Sequence, residues 1–334
     1  MEEIEQKDKI FRLNEPGFEA RAMKAFRFQY NNNPVYRSYA NALGVNPESV
    51  QTTGQIPFLP VGFFKSHEIK TTLFEPQAVF ESSGTTNNPN SRHWIKDLSL
   101  YEESFTTGFE FFYGPVKEYC IIGLLPSYLE RKTRLPAGTD SSLVYMIDRL
   151  IQLSGNSQSG FYLHEYDQLF SLLKELESKK QKTLLIGVTF ALLDFAEKFP
   201  VPLKNTIIME TGGMKGRRKE MLREEVHEIL KNAFGVLSIH SEYGMTELLS
   251  QAYSKGNGIF HCPPWMKVLV KDEEDPFVVN QQGAGVINII DLANIYSSSF
   301  IATDDIGKVY RDGSFEVMGR MDNSDLRGCS LMVT

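Results

Sequence analysis

The chain of 334 residues carries 35 lysines and arginines against 42 aspartates and glutamates, a formal charge of −7 at neutral pH. At 42% hydrophobic, 23% charged and 12% aromatic it has the make-up of a folded globular protein, which excludes disordered, collagen-like and coiled-coil classes. The acidic balance argues against nucleic acid as a partner, and three scattered cysteines (Cys120, Cys262, Cys329) form neither a zinc-finger spacing nor a disulfide framework.

The acidic start Met1-Glu2-Glu3-Ile4-Glu5 lacks the basic and apolar parts of a signal peptide. Ala20–Tyr30 reads as a helix, which Asn31-Asn32-Asn33-Pro34 breaks. Pro57 and Pro60 bracket the apolar Phe58-Leu59, which leads into Val61-Gly62-Phe63-Phe64-Lys65, a segment expected to pack on a core. Ala78-Val79-Phe80 is a strand candidate, followed by the polar loop Glu81–Ser91 and a helix over Leu98–Phe112. The unbroken apolar run Tyr119–Leu125 predicts a strand buried on both faces.

Leu169, Leu172, Leu173 and Leu176 form the stripe of an amphipathic helix. A strand is expected at Thr183–Val188, then a helix ending before Pro200. Leu184–Leu193, the most apolar run, stops at Asp194, short of the about 18 residues of a membrane helix, so no membrane span and a cytoplasmic location are expected. Asn205–Met209 reads as another strand, followed by a long helix from about Lys215 with Leu222, Val226, Ile229 and Ala233 on one face. Val236–His240 is a further strand candidate.

This alternation predicts an α/β fold of mostly parallel sheets with flanking helices. Beyond Cys262 the texture turns β-rich: Val268–Val270, Phe277–Val279 and Val286–Ile290 are followed by a hairpin around Arg311-Asp312-Gly313. The expected organisation is an α/β body over 1–261, a small antiparallel β module over 262–318 and a hinge-like stub over 319–334.

No Walker A sequence, GxGxxG after a strand, GxSxG elbow or HExxH occurs. Four loops remain. Ser82-Ser83-Gly84-Thr85-Thr86 combines hydroxyls with a close-approach glycine and suits phosphate oxygens, or is a polar turn. Thr211-Gly212-Gly213 lies at a strand exit, where ligands bind in parallel sheets or where a tight turn needs glycine. Ser241-Glu242-Tyr243-Gly244-Met245-Thr246-Glu247 offers an aromatic face, a glycine for close approach, a hydroxyl and a carboxylate able to hold Mg²⁺, or is another strand exit with solvated polar groups. Thr303-Asp304-Asp305, with Gly319-Arg320-Met321-Asp322 beyond the hairpin, places carboxylates and a guanidinium where they can meet ribose hydroxyls, or forms a solvated acidic turn.

Taken in order, these loops resemble those of the adenylate-forming superfamily of acyl-CoA ligases, luciferases and adenylation domains. The Tyr243–Glu247 string is the most specific match. The resemblance implies that Ser82, Ser83, Gly84, Thr85 and Thr86 grip the phosphates of ATP, with Gly212, Gly213 and Gly244 at close approaches. It further implies that Tyr243 stacks on adenine, Thr246 touches the α-phosphate, Glu247 holds Mg²⁺, and Asp305 and Arg320 bind ribose. Asp304 stands where a glycine is usual, and Asn87-Asn88-Pro89-Asn90 replaces the usual Gly-x-Pro-Lys. Thr334 follows soon after the hinge, so the expected architecture lacks the mobile C-terminal domain, the usual source of a catalytic lysine. Lys65, Lys215 or a partner's side chain would have to substitute.

Ile56–His67 and the ending Arg327-Gly328-Cys329-Ser330-Leu331 resemble the acyl-protein synthetases of the LuxE type. That likeness implies activation of a fatty acid as acyl-AMP, transfer to Cys329 as a thioester, and delivery to an acyl-reductase partner. A thiolate suits attack on a mixed anhydride, and Arg327 and Arg320 are candidate cations to lower its pKa. Cys120 and Cys262 have no comparable case. A phenylacetate-type acyl-CoA ligase and a non-catalytic nucleotide- and acyl-binding subunit are the competing expectations. Phe109, Phe111, Phe112 and Tyr128 can line an acyl pocket, though core packing is the expectation for each.

Overall fold

A computed structural model describes residues 10–11, 17–82, 89–126, 141–163, 165–212, 221–271 and 279–321. Helix α1 (Phe18–Asn32) ends at Asn33, whose side chain accepts from Tyr36 N and so starts α2 (Pro34–Ala42), with Pro34 in the first turn where its missing N–H costs nothing. The expected break therefore lies at Asn33. Strand β1 (Leu59–Pro60) follows at the second of the bracketing prolines, and the short helix α3 (Phe63–Ser66) comes just beyond it. Strands β2 (Ala78–Glu81) and β3 (Arg92–Ile95) pair antiparallel as a separate two-stranded sheet. Asp97 caps α4 (Leu98–Tyr113) by accepting from Ser99 N.

The apolar runs become the central strands. β4 (Cys120–Leu124) and β6 (Thr183–Val188) are buried at every residue and pair parallel, with β5 (Gly160–Phe161) beyond β4 and β7 (Thr206–Thr211) and β8 (His240–Tyr243) on the other side. Helices α5 (Ser142–Ser154), α6 (Tyr166–Ser178), α7 (Thr189–Lys198) and α8 (Arg223–Phe234) alternate with them. This is the mixed α/β architecture expected from the alternation.

Two details differ from the sequence reading. In α8 the buried face is Val226, His227, Leu230 and Phe234, while Leu222 and Ile229 are exposed and Ala233 is half-buried. His227 turns inward to meet Glu210, and an apolar count overlooks a polar residue inside. Strand β8 starts at His240, not Val236: only His240–Tyr243 finds partners on both sides, and Leu237 is fully exposed.

Beyond β8 the chain turns antiparallel through β9 (Ala252–Ser254), β10 (Phe260–His261), β11 (Met266–Lys271), β12 (Val279–Asn280), β13 (Gly283–Asp291), β14 (Phe300–Val309) and β15 (Phe315–Arg320). These strands continue the same hydrogen-bonded sheet, in the order β12-β11-β13-β14-β15-β10-β9-β8-β7-β6-β4-β5, with β1 parallel to β14. Val309 faces Phe315 across the expected hairpin. At Gly307 a Cβ would lie 2.3 Å from the backbone oxygen of Glu316, so the β14–β15 approach requires glycine.

Candidate functional site

Parallel strands expose their carboxyl ends along one edge, and β7 and β8 place Thr211 beside Glu242 there. Thr211 ends β7 and Gly212 follows at φ +70°, a left-handed conformation that favours glycine. The Gly212 carbonyl accepts from Thr189 Oγ1 at 2.9 Å. One residue beyond Glu242, Tyr243 turns to the opposite side, its ring edge-on to Phe260 and Phe315.

The Tyr243 hydroxyl donates to Asp305 Oδ2 at 2.7 Å, joining the end of β8 to β14 across 62 residues of sequence. Asp305 is opposite Arg320 on β15, because a register irregularity between Ile306 and Gly307 shifts the pairing. The Asp305 N–H donates to Thr303 Oγ1, whose hydroxyl donates to Ile287 O in a second irregular register. Burial pulls the Asp305 carboxyl up, against the Tyr243 hydrogen bond and the nearby Arg320 charge. Arg320 itself is exposed and sits 3.4 Å from Asp304 Oδ2, so the residue in place of the usual glycine holds the guanidinium.

Glu247 is buried, and burial raises its carboxyl pKa while the Ser91 hydroxyl, Arg320 and Lys65 oppose the rise. Ser91 also closes the base of the preceding loop: Ser91 N donates to Ser82 Oγ at 2.9 Å and Ser82 N to Ser91 O at 3.0 Å. Tyr243, Asp305 and Arg320 thus form one group and Ser82, Ser91 and Glu247 another, with the Arg320 charge acting on Glu247. Ser83, Gly84, Thr85, Thr86, Gly213, Lys215, Asp322, Arg327 and Cys329 lie outside the described residues, as does Tyr128.

Composition-based reading overlooked Ser91, His93 and Asn294. His93 Nδ1 lies 2.8 Å from Thr246 O, and Asn294 Nδ2 donates to Glu247 O at 2.7 Å. Polar residues at alternate positions 91 and 93, before and within a strand, were the available signal, pointing both side chains to one face. Cys120 and Cys262 have thiols pushed up by burial, away from the thiolate a nucleophile needs. Phe109 is buried and Phe112 half-buried, but Phe111 is exposed, so core packing does not hold for Phe111. Among the described residues no group of three acidic, histidine or cysteine ligands could hold a metal alone, and no helix is long and apolar enough to cross a membrane.

The family described as "Acyl-protein synthetase, LuxE" matches residues 4–334. The chain belongs to the LuxE acyl-protein synthetase family. No curated protein matches the sequence. Among solved structures, this LuxE-family chain is similar to ATP-bound MatB from Rhodopseudomonas palustris, with a TM-score of 0.55 at 14% identity, over 75% of this chain and 50% of that one. The ATP-bound RpMatB-BxBclM chimera B3 gives the same TM-score, identity and coverage. The LuxE-family chain has the fold of adenylate-forming enzymes and spans about half the length of these structures.

Proposed function

We propose that this protein joins a carboxylic acid to ATP as an acyl adenylate and then passes the acyl group to Cys329. In the first step a carboxylate oxygen bonds the α-phosphorus as the bond to pyrophosphate breaks. In the second, the Cys329 thiolate bonds the acyl carbon and AMP leaves with the anhydride electron pair. The observation that supports this most is the meeting of Tyr243 with Asp305, opposite Arg320, in a LuxE-family chain: an aromatic face, a carboxylate and a guanidinium suited to a nucleoside.

Tyr243 would stack on adenine, with Asp305 and Arg320 on the ribose. The hydroxyls of Ser82, Ser83, Thr85, Thr86 and Thr246 would face phosphate oxygens, and Gly84, Gly212, Gly213 and Gly244 would leave room for them. Glu247 fits a Mg²⁺ shared with the phosphates, because a buried carboxylate, disfavoured as an anion by its surroundings, gains from an adjacent cation. Bound there, Mg²⁺ would supply charge neutralisation while two anions approach. Lys65, whose charge acts on Glu247, is the described candidate for a catalytic lysine. The acid is proposed to be fatty, the location cytoplasmic and the downstream partner an acyl reductase.

ATP–pyrophosphate exchange over a panel of fatty acids tests the first step; no exchange with any acid at saturating Mg²⁺ would refute it. Incubation with ATP, Mg²⁺ and radiolabelled acid, followed by neutral hydroxylamine, tests the second. Cys329→Ser should lose the thioester-linked label and keep exchange. Rapid acyl-CoA formation on adding coenzyme A would favour a diffusible acceptor instead.

A further inference from the structure

Residues 244–251 lack regular strand or helix pairing, so their backbone groups need partners from elsewhere. Buried side chains supply them. Asp291 accepts from Leu249 N at 2.8 Å and Ser250 N at 3.0 Å. Asn294 donates to Glu247 O, and His93 Nδ1 faces Thr246 O, an oxygen that can only accept. His93 Nε2 lies 3.0 Å from Asn294 Oδ1, so the ring that meets Thr246 O also packs against the side chain that serves Glu247 O.

Asp291 and Asn294 belong to the corner after β13, which Gln29 of α1 anchors through Asn294 O and Ile295 O. His93 comes from a different body. It lies on β3, which follows the Ser82–Thr86 loop, and β2–β3 shares no strand pairing with the main sheet. A two-stranded hairpin is marginal alone and takes its position from side-chain ties. Ser91 and His93 are two such ties, one reaching the Glu247 carboxyl and the other the Thr246 carbonyl. The His93 ring is buried, with the Phe64 ring meeting it edge-on at 5.7 Å. An apolar side chain would fill that space without the desolvation cost of imidazole, so the ring's nitrogens are what the site uses.

We infer that His93 is a positioning residue that locks the hairpin of the phosphate loop to the backbone of Thr246 and Glu247, so that gripping the phosphates and aiming the carboxylate occur together. This rests on the adenylate-forming reading above. Asn294 steadies the next carbonyl along, its Nδ2 donating to Glu247 O.

The test compares wild type, His93→Phe and His93→Gln by two readouts. The first is backbone amide hydrogen exchange over residues 243–251. His93→Phe should speed it about tenfold, the scale of one lost buried hydrogen bond, and His93→Gln should restore most of the protection because its amide can donate to Thr246 O. The second is ATP–pyrophosphate exchange, in which His93→Phe should raise the KM for MgATP about tenfold and leave the KM for the acid unchanged, with rescue by Gln.

Unchanged amide exchange in His93→Phe, or equal loss in Phe and Gln with an unchanged KM for MgATP, would overturn the clamp. Absent pyrophosphate exchange in wild type would instead sink the adenylate-forming reading, while the amide comparison still decides the clamp. If His93→Phe does not fold, His93→Leu takes its place under the same criteria.

Discussion

Glu242 is a buried acid beside the candidate site that the proposed chemistry does not use, and neutralising it should stabilise the protein. Strand β8 sets it next to Thr211, whose hydroxyl donates to its carboxylate. Burial, reinforced by the neighbouring Glu210 charge, outweighs that bond and raises the pKa from 4.5 to about 7. Because the folded value is the higher one, this group's stabilisation is complete below pH 4.5 and is lost as pH rises through about 7. At about 1.36 kcal/mol per pKa unit, the rise amounts to roughly 3 kcal/mol missing above neutrality. Glu242→Gln keeps the shape and an acceptor for Thr211 but cannot ionise. It should stabilise by roughly 1–3 kcal/mol at pH 8, allowing for amide protons that need partners, and by close to nothing at pH 4.5. Urea unfolding of both forms at the two pH values reads this as a midpoint rise of about 0.5–1 M at pH 8 alone. An equal shift at both pH values, or a lower midpoint at pH 8, would refute the reasoning.

Asp291→Ala strips the acceptor from Leu249 N, Ser250 N and Ala293 N, and should cost on the order of 3–5 kcal/mol, read as a large fall in thermal midpoint. Gly307→Ala sets a Cβ against the backbone of Glu316 and should cost about 1–3 kcal/mol in urea unfolding, because backbone cannot step aside as a flexible side chain would.

Some elements were legible because their signal is local. The apolar run at Thr183–Val188 became β6 with those bounds, since a strand covered on both faces must be apolar at every position. The Asn33-Pro34 break and the Arg311–Gly313 turn were legible for the same reason: backbone chemistry decides them within a few residues. Where a partner distant in sequence decides, local reading went astray. Val236–Ile239 is as apolar as a strand, yet only His240–Tyr243 finds neighbours, and α8 buries His227 where an apolar count preferred Ile229. The antiparallel texture beyond Cys262 was legible, but not that those strands would continue the main sheet through β15, β10 and β9.

The amino-acid order sets which groups are available: hydroxyls at Ser82–Thr86, the Tyr243–Glu247 string, the Asp304-Asp305 pair, Arg320 and Cys329. Their order carried the family resemblance, because the composition of a short loop is a property of adjacent residues. It took the folded chain to show that Tyr243 bonds Asp305, that the Arg320 guanidinium pairs with Asp304 although Asp305 is its register partner, that Ser91 bonds the Glu247 carboxyl, and that His93 and Asn294 meet the Thr246 and Glu247 carbonyls. Those pairings depend on strand register and on which side chains share a buried face. A buried polar group takes whichever partner the fold brings within about 3 Å, however far away it lies in the sequence.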